Sequence, residues 1–226
     1  MKLKDLPKIV INLKRRPDRL EKFKAEMDYM GWEFEVFDAI DTESYIGCAM
    51  SHKKIAEDFL DKGLDYLLVM EDDSFFMPYS KKVIEECENE LNKLEWNIFH
   101  LGPSIHRPLK KYNEILVDLT NLPPKDEKIH RGIFGTQAFI LTKKSAEIIV
   151  NWDTNKYIEN SHKRIPIDEY FDKVFLPSLT ATKSYQTLSK CYKELKNQHP
   201  SLKWPQVIMN YEQQFFCNFK TKKTYP

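Results

Sequence analysis

Apolar positions along the chain follow two periods in alternation. Ile9-Val10-Ile11-Asn12-Leu13 is a short β-branched run closed by Lys14-Arg15-Arg16-Pro17, which predicts a buried strand ending in a turn. Pro17 suits the first position of a helix, and Leu20, Phe23, Met27 and Met30 recur at helical spacing before Gly31 stops the pattern. Trp32 to Phe37 then alternates apolar with acidic residues, as a half-exposed strand would. The chain therefore opens as a βαβ unit.

A second helix is predicted from about Ser51 to Lys62, with Ile55, Phe59 and Leu60 on its apolar face and Gly63 beyond its end. Tyr66 to Met70 is a continuous apolar run, the mark of a central parallel strand, and Glu71-Asp72-Asp73 stands at its carboxyl edge. A helix over Ser80 to Leu94 carries Ile84, Cys87, Leu91 and Leu94 on one stripe, and Trp96 to Leu101 reads as the next strand. Residues 103–132, with Pro108, Pro123 and Pro124, read as loops with room for a short strand. A strand over Gly135 to Leu141, a helix over Lys143 to Trp152 and a short helix over Ile167 to Phe175 begun at Pro166 complete the core. Beyond Lys183 periodicity weakens, which predicts a tail lying over the core with Trp204, Tyr211, Phe215 and Phe216 as anchors. The expected fold is α/β, a single-domain open sheet of mostly parallel strands flanked by helices. Residues 1–185 form its core and residues 186–226 a C-terminal segment packed on the same domain.

Composition narrows the function. Across 226 residues, 35 Lys+Arg face 34 Asp+Glu for a net charge of +1, which argues against a nucleic-acid module with a basic face. Hydrophobic residues at 42% suffice for one sizeable core. The apolar run near the start is too short for a signal peptide or a membrane span, so the expected location is cytoplasmic for the chain as it stands and lumenal if it is excised from a longer protein. Cys48, Cys87, Cys191 and Cys217 form no CxxC pair and read as small buried hydrophobes. No GxGxxG, P-loop, GxSxG, HExxH or kinase signature occurs.

Three carboxylates in succession, Glu71, Asp72 and Asp73, are the most informative feature. Strand alternation aims positions 71 and 73 alike, and such a pair repels unless a cation lies between them. A hard divalent ion shared with phosphate oxygens answers that need, and strand carboxyl ends are where open α/β sheets bind ligands. The plain alternative is a solvated acidic turn. Near the same edge, Asn12 precedes Lys14, Arg15, Arg16 and Arg19, a basic group able to meet an anion, with a charged helix surface as the alternative. Gly47-Cys48 and Ser51-His52 precede the predicted second helix, whose N-terminus offers N–H groups to an anion; alternatively Ser51 is an N-cap and His52 a first-turn surface residue. Asp168-Glu169, placed by a Pro-started helix, is either a general-base candidate or a first-turn helix carboxylate.

In order along the chain, IVINLKRRPDR from Ile9 to Arg19, Ile46 to His52, Leu68 to Asp73, Gly135 to Leu141 and Ile165 to Phe171 resemble the motifs of the family-25 glycosyltransferases. The family includes lipooligosaccharide sugar transferases, active in LPS biosynthesis, and collagen hydroxylysine galactosyltransferases. The resemblance implies a GT-A fold, a UDP-sugar donor, most often UDP-galactose or UDP-glucose, and a manganese- or magnesium-type ion. It also implies inversion at the anomeric carbon and transfer to a hydroxyl of a glycan or protein acceptor. By the same resemblance Glu71 and Asp73 match the acidic, DXD-like metal motif, with Asp72 assisting on the metal, ribose or sugar. Asn12, Leu13 and Arg15 match the first-strand segment near the nucleotide, with Arg19 added from the basic group, and Ser51 and His52 match the family's Ser-His pair. Asp168 matches the acid expected near the acceptor and is the first choice for base, with Glu169 in reserve. Ser44-Tyr45 replaces the family's usual Gly-Glu, and the Asp38 to Tyr45 segment is shorter than in the collagen enzymes. Two alternatives stay open: a noncatalytic nucleotide-sugar or glycan-binding member of the fold, and a metal-dependent nucleotidyl- or phosphotransferase.

Overall fold

The computed structural model describes residues 1–42, 45–76, 80–101, 104–105, 110–111, 116–118, 133–134, 136–151, 178–181 and 208–210. β1 (Lys8–Asn12) leads through a turn, closed by Arg16 N–H on the Leu13 carbonyl at 2.7 Å, into α1 (Pro17–Met30). Pro17 takes a position where a missing N–H costs nothing, and Gly31 ends the helix at φ 69° while its N–H bonds back to the Asp28 and Met27 carbonyls. β2 (Glu35–Asp38) is shorter than the alternation from Trp32 predicts. Trp32 is buried edge-on against Phe76, ring centroids 5.4 Å apart, so the core claims it.

α2 (Tyr45–Asp61) starts well before the predicted Ser51. Gly47 is inside this helix because the chain passes so close that a Cβ there would lie 2.2 Å from the Ile40 carbonyl oxygen. Ser51 is not an N-cap either: its hydroxyl donates to the Gly47 carbonyl at 2.7 Å, the i−4 bond of a helix interior, and accepts the Ile40 N–H at 2.9 Å. β3 (Tyr66–Glu71), β4 (Ser74–Phe76), α3 (Ser80–Leu91) and β5 (Ile98–His100) follow. α3 stops before Leu94 because the next turn tightens, Leu94 N–H reaching the Leu91 carbonyl, which the Trp96 indole also caps at 3.2 Å.

Among the described residues between 103 and 132 are the short strands β6 (Ser104–Ile105), β7 (Lys110–Lys111) and β8 (Leu116–Asp118). β9 (Ile133–Phe134), β10 (Ala138–Thr142), α4 (Lys143–Val150), β11 (Ser178–Ala181) and β12 (Ile208–Asn210) complete the described elements. Thr142 and Ser145 cap the start of α4 reciprocally. The predicted helix over 167–175 and the anchors Trp204, Tyr211, Phe215 and Phe216 lie outside the described residues.

The main sheet runs β2-β1-β3-β10-β5-β11-β8-β7, and the pairings set β10 and β8 against the direction of the other strands. This is the expected open α/β sheet, with most strands running one way and helices on its faces. β12 pairs with β4, and β6 with β9, in two smaller sheets. Alternation sorts the core: Val10, Leu68, Met70, Phe99 and Ile140 pack with α1 and α3, whereas Ile11, Leu67, Val69, Ile98, Phe139 and Leu141 pack with α2 and α4. Both faces are covered, which is why β3 reads as an unbroken apolar run.

Candidate active site at the carboxyl ends of the central strands

β1 and β3 lie side by side and parallel, so Asn12 and Glu71 end at one edge of the sheet. The Asp72-Asp73 turn beyond β3 is clamped. Asp72 N–H bonds the Ile11 carbonyl at 3.2 Å, Glu71 N–H the Gln137 carbonyl at 2.9 Å, and Ser74 Oγ the same carbonyl at 2.8 Å. From α1, the buried Glu26 carboxylate accepts the Phe76 N–H at 2.9 Å.

The alternation expected to aim Glu71 and Asp73 alike ends with the strand. Asp72 and Asp73 instead converge on α1, where a single nitrogen of Arg19, Nη1, stands 3.3 Å from Asp72 Oδ1 and 3.6 Å from Asp73 Oδ2. Asn12 Nδ2 donates to the other Asp72 oxygen at 2.6 Å and to the Arg16 carbonyl at 3.1 Å. Burial pushes the Asp72 carboxyl above the ordinary range, against the opposing pull of Asn12 and Arg19, and the Glu71 charge adds to the rise.

Glu71 turns to the opposite helix layer. Its Oε1 lies 3.4 Å from His52 Nε2, accepts the Cys48 thiol at 3.9 Å and accepts the Thr136 hydroxyl. Burial alone would raise this carboxyl, but hydrogen bonding and charge from His52, with Thr136 and Cys48, outweigh it and hold Glu71 below the usual carboxylate range. His52 is not a surface residue: it is 1% exposed, with its ring 5.4 Å from that of Phe139. Beyond Phe139 stands His100, whose pKa burial lowers to about 4.

Of the basic group after β1, Arg19 alone among the described contacts reaches Asp72 and Asp73. Arg15 pairs with Asp41 at 3.0 Å, Lys14 with Asp38 at 3.0 Å, and Arg16 with Asp18, whose carboxyl it lowers to about 2. Leu13 closes the turn through its carbonyl, and Ser51 has both hydrogen-bonding roles filled by the 40–47 backbone. Asp168 and Glu169 lie outside the described residues. Sequence reasoning passed over Cys48 and Thr136 as site residues; the signal available for Cys48 was its i, i+4 spacing to His52, which puts both on one helix face. A cavity of about 610 Å³ lined by Lys8, Phe34, Phe59 and Lys62 lies at the opposite ends of these strands, away from the carboxylates. Among the described residues no helix is long and apolar enough to cross a membrane.

The family model described as glycosyltransferase family 25 (LPS biosynthesis protein) matches residues 42–171, more than half of the chain, taking in α2, the β3–β4 turn and β10. A glycosyltransferase 25 family member of Drosophila melanogaster is 26% identical over 209 residues, covering 78% of this chain and 32% of the relative. Procollagen galactosyltransferase 2 of Homo sapiens is 22% identical over 197 residues, 74% of this chain and 30% of the relative. The human protein named inactive glycosyltransferase 25 family member 3 is 31% identical over 139 residues, 45% of this chain and 22% of its own length. The chain thus spans at most about a third of these relatives. Because the matched span covers more than half of the chain and contains the carboxylate turn together with α2, β3 and β10, the chain belongs to glycosyltransferase family 25.

Proposed function

We propose that this chain is a metal-dependent, inverting glycosyltransferase that moves a hexose, galactose or glucose, from a UDP-sugar to a hydroxyl of a glycan or hydroxylysine-type acceptor. The observation that carries the reading is the convergence of Asp72 and Asp73 on one cationic point at the carboxyl ends of β1 and β3. Two carboxylates whose oxygens lie 3.3 and 3.6 Å from one guanidinium nitrogen fit a hard divalent ion, manganese or magnesium, which takes oxygen donors and shares them with phosphate. Asp73 and Asp72 would hold it; Glu71, turned to α2, would not. When bound, the ion neutralises charge developing on the UDP leaving group.

The chain's own residues supply the rest. Asn12 fixes the orientation of Asp72 through its 2.6 Å bond. Arg19, whose guanidinium stands beside both carboxylates, would be placed to meet the diphosphate as well. Asp168, with Glu169 in reserve, takes the proton of the acceptor hydroxyl as that oxygen attacks the anomeric carbon and the bond to UDP breaks. Asp168→Asn should lower transfer to acceptor about 10²- to 10⁴-fold with UDP affinity retained. Unchanged transfer with a lowered melting temperature would return Asp168 to a helix-stabilising role.

A panel of UDP-sugars assayed for manganese-dependent hydrolysis tests the reading without a known acceptor, paired with calorimetry of UDP in manganese and in chelator. Hydrolysis of one donor, with UDP binding that needs the ion, is the expected result; equal UDP affinity in both conditions sinks the carboxylate assignment. A second reading, donor binding without turnover, draws support from the Arg19 bridge, whose single charge already offsets part of that of Asp72 and Asp73. Ion-dependent UDP binding with no hydrolysis of any donor selects it.

A further inference from the structure

A second set of ligating atoms converges on the other side of β3. Cys48 and His52, four residues apart on α2, present Sγ and Nε2 to the Glu71 carboxylate, and the three ligand atoms lie within 4.8 Å of one another. A tetrahedral zinc site with metal–ligand distances near 2.0 to 2.3 Å would hold its nitrogen and oxygen about 3.4 Å apart and its sulfur and oxygen about 3.6 Å apart. The corresponding distances here are 3.4 Å and 3.9 Å. The scaffold is rigid: Glu71 ends a central strand paired on both sides, and the His52 ring packs on Phe139. Thr136 donates to the same carboxylate oxygen, the outer-shell bond that orients a ligating carboxylate. Gln137, the cross-strand neighbour of Glu71, is buried, and its side-chain oxygen has no hydrogen-bond partner among the described residues.

We propose that Cys48 Sγ, His52 Nε2 and Glu71 Oε1 form a binding site for a zinc-class divalent cation, with a water in the fourth position, that pins the middle of α2 to the end of β3. Sulfur and imidazole nitrogen beside one carboxylate select zinc or cobalt over magnesium, calcium or manganese, which prefer all-oxygen sites. Binding takes Cys48 as thiolate and His52 as neutral imidazole with Nε2 on the metal, and the protons those two atoms carried pass to solvent. The site is separate from the Asp72-Asp73 turn, whose charge Arg19 meets from α1. It does not depend on glycosyl transfer.

The test uses the full chain freed of metal with a chelator and titrated with cobalt(II), a spectroscopic stand-in for zinc. The expected result is about one equivalent bound in tetrahedral form, whatever further cobalt the Asp72-Asp73 turn takes, with a thiolate-to-cobalt charge-transfer band and intense visible bands, displaced by zinc. Cys48→Ser should abolish the charge-transfer band, and Glu71→Gln should weaken binding at least about 10-fold. Asp73→Asn should leave the spectrum unchanged. A weak octahedral spectrum in the wild type, or a charge-transfer band that survives Cys48→Ser, overturns the proposal. Should the variants fail to fold, the wild type still decides: zinc is expected to slow alkylation of Cys48, followed by peptide mass mapping, at least about 10-fold. Equal alkylation with and without zinc overturns it.

Discussion

On the α1 side of the β3 terminus, Asp72 and Asp73 offer only oxygen and meet a guanidinium that is 24% exposed while the carboxylates themselves are buried. On the α2 side, Glu71 meets sulfur and imidazole nitrogen in a layer that holds the buried His52, Gln137 and His100. Adjacent carboxylates thus enter different chemistries. Strand geometry governs Glu71, whereas the turn, bent by hydrogen bonds to Ile11, Gln137 and Glu26, governs the next two. A run of acids is therefore poor evidence for one shared ion until the residue at which the strand ends is known.

The largest effect is expected on the α1 side. Asp73→Asn should lower manganese-dependent UDP-sugar turnover about 10²- to 10³-fold, or ~3 to 4 kcal/mol of transition-state stabilisation, without changing the fold. Glu71→Gln sharpens the contrast, since UDP affinity in manganese should hold. A matching loss in calorimetry would merge the two sides into one site.

The α2 side should reveal itself in acid. The unfolded chain protonates His100 near pH 6.5 and the folded chain only near 4, so between these values the unfolded state binds more protons and stability falls as pH falls. The loss attributable to this group is about 3 kcal/mol, and His100→Phe should remove it, flattening urea-denaturation midpoints between pH 7 and 4 relative to wild type. Equal acid slopes would mean His100 gains a proton in the fold as readily as in the unfolded chain.

Smaller effects are expected where α2 meets the loop before it. Gly47→Ala places a methyl 2.2 Å from the Ile40 carbonyl oxygen and 2.8 Å from Thr42 Oγ1, and backbone must move; the expected cost is ~1 to 3 kcal/mol, read by thermal melts. Ser51→Ala strands the Ile40 N–H at a similar cost. A wild-type melting temperature in either would show that this loop does not hold the helix that carries Cys48 and His52. The smallest effect belongs to Arg15, 62% exposed beside Asp41, where Arg15→Ala should change stability by less than ~1 kcal/mol. A drop in UDP affinity beyond about 10-fold in that variant would make Arg15 a donor contact and extend the α1 side around the sheet edge.

Most of the layered core could be read along the chain because its signals are local. Pro17 and Gly31 bracket α1, and the apolar run of Tyr66 to Met70 marks a strand covered on both faces. The start of α2 could not be read that way. Gly47 and Ser51 look like a helix boundary until the Ile40 backbone is brought against them, and then the glycine answers a close approach and the serine an i−4 bond. The short strands within residues 103–132 were equally hidden, since two or three residues carry no period of their own and exist through their partners.

By itself, the sequence determined the alternation that sorts Leu68 and Met70 from Leu67 and Val69, the placement of three acids at the carboxyl end of a buried strand, and the ordered motifs of the family. Those depend on side-chain period and local backbone preference, which act over a few residues. Only the tertiary structure decided which acid meets which partner: Asp72 and Asp73 face Arg19 from 53 and 54 positions away, and Glu71 faces His52 and Thr136 from elements 19 positions before and 65 after it. Charge pairing and ligand geometry fall off within a few ångströms, so they are set by where the chain returns in space, and no local pattern encodes that return.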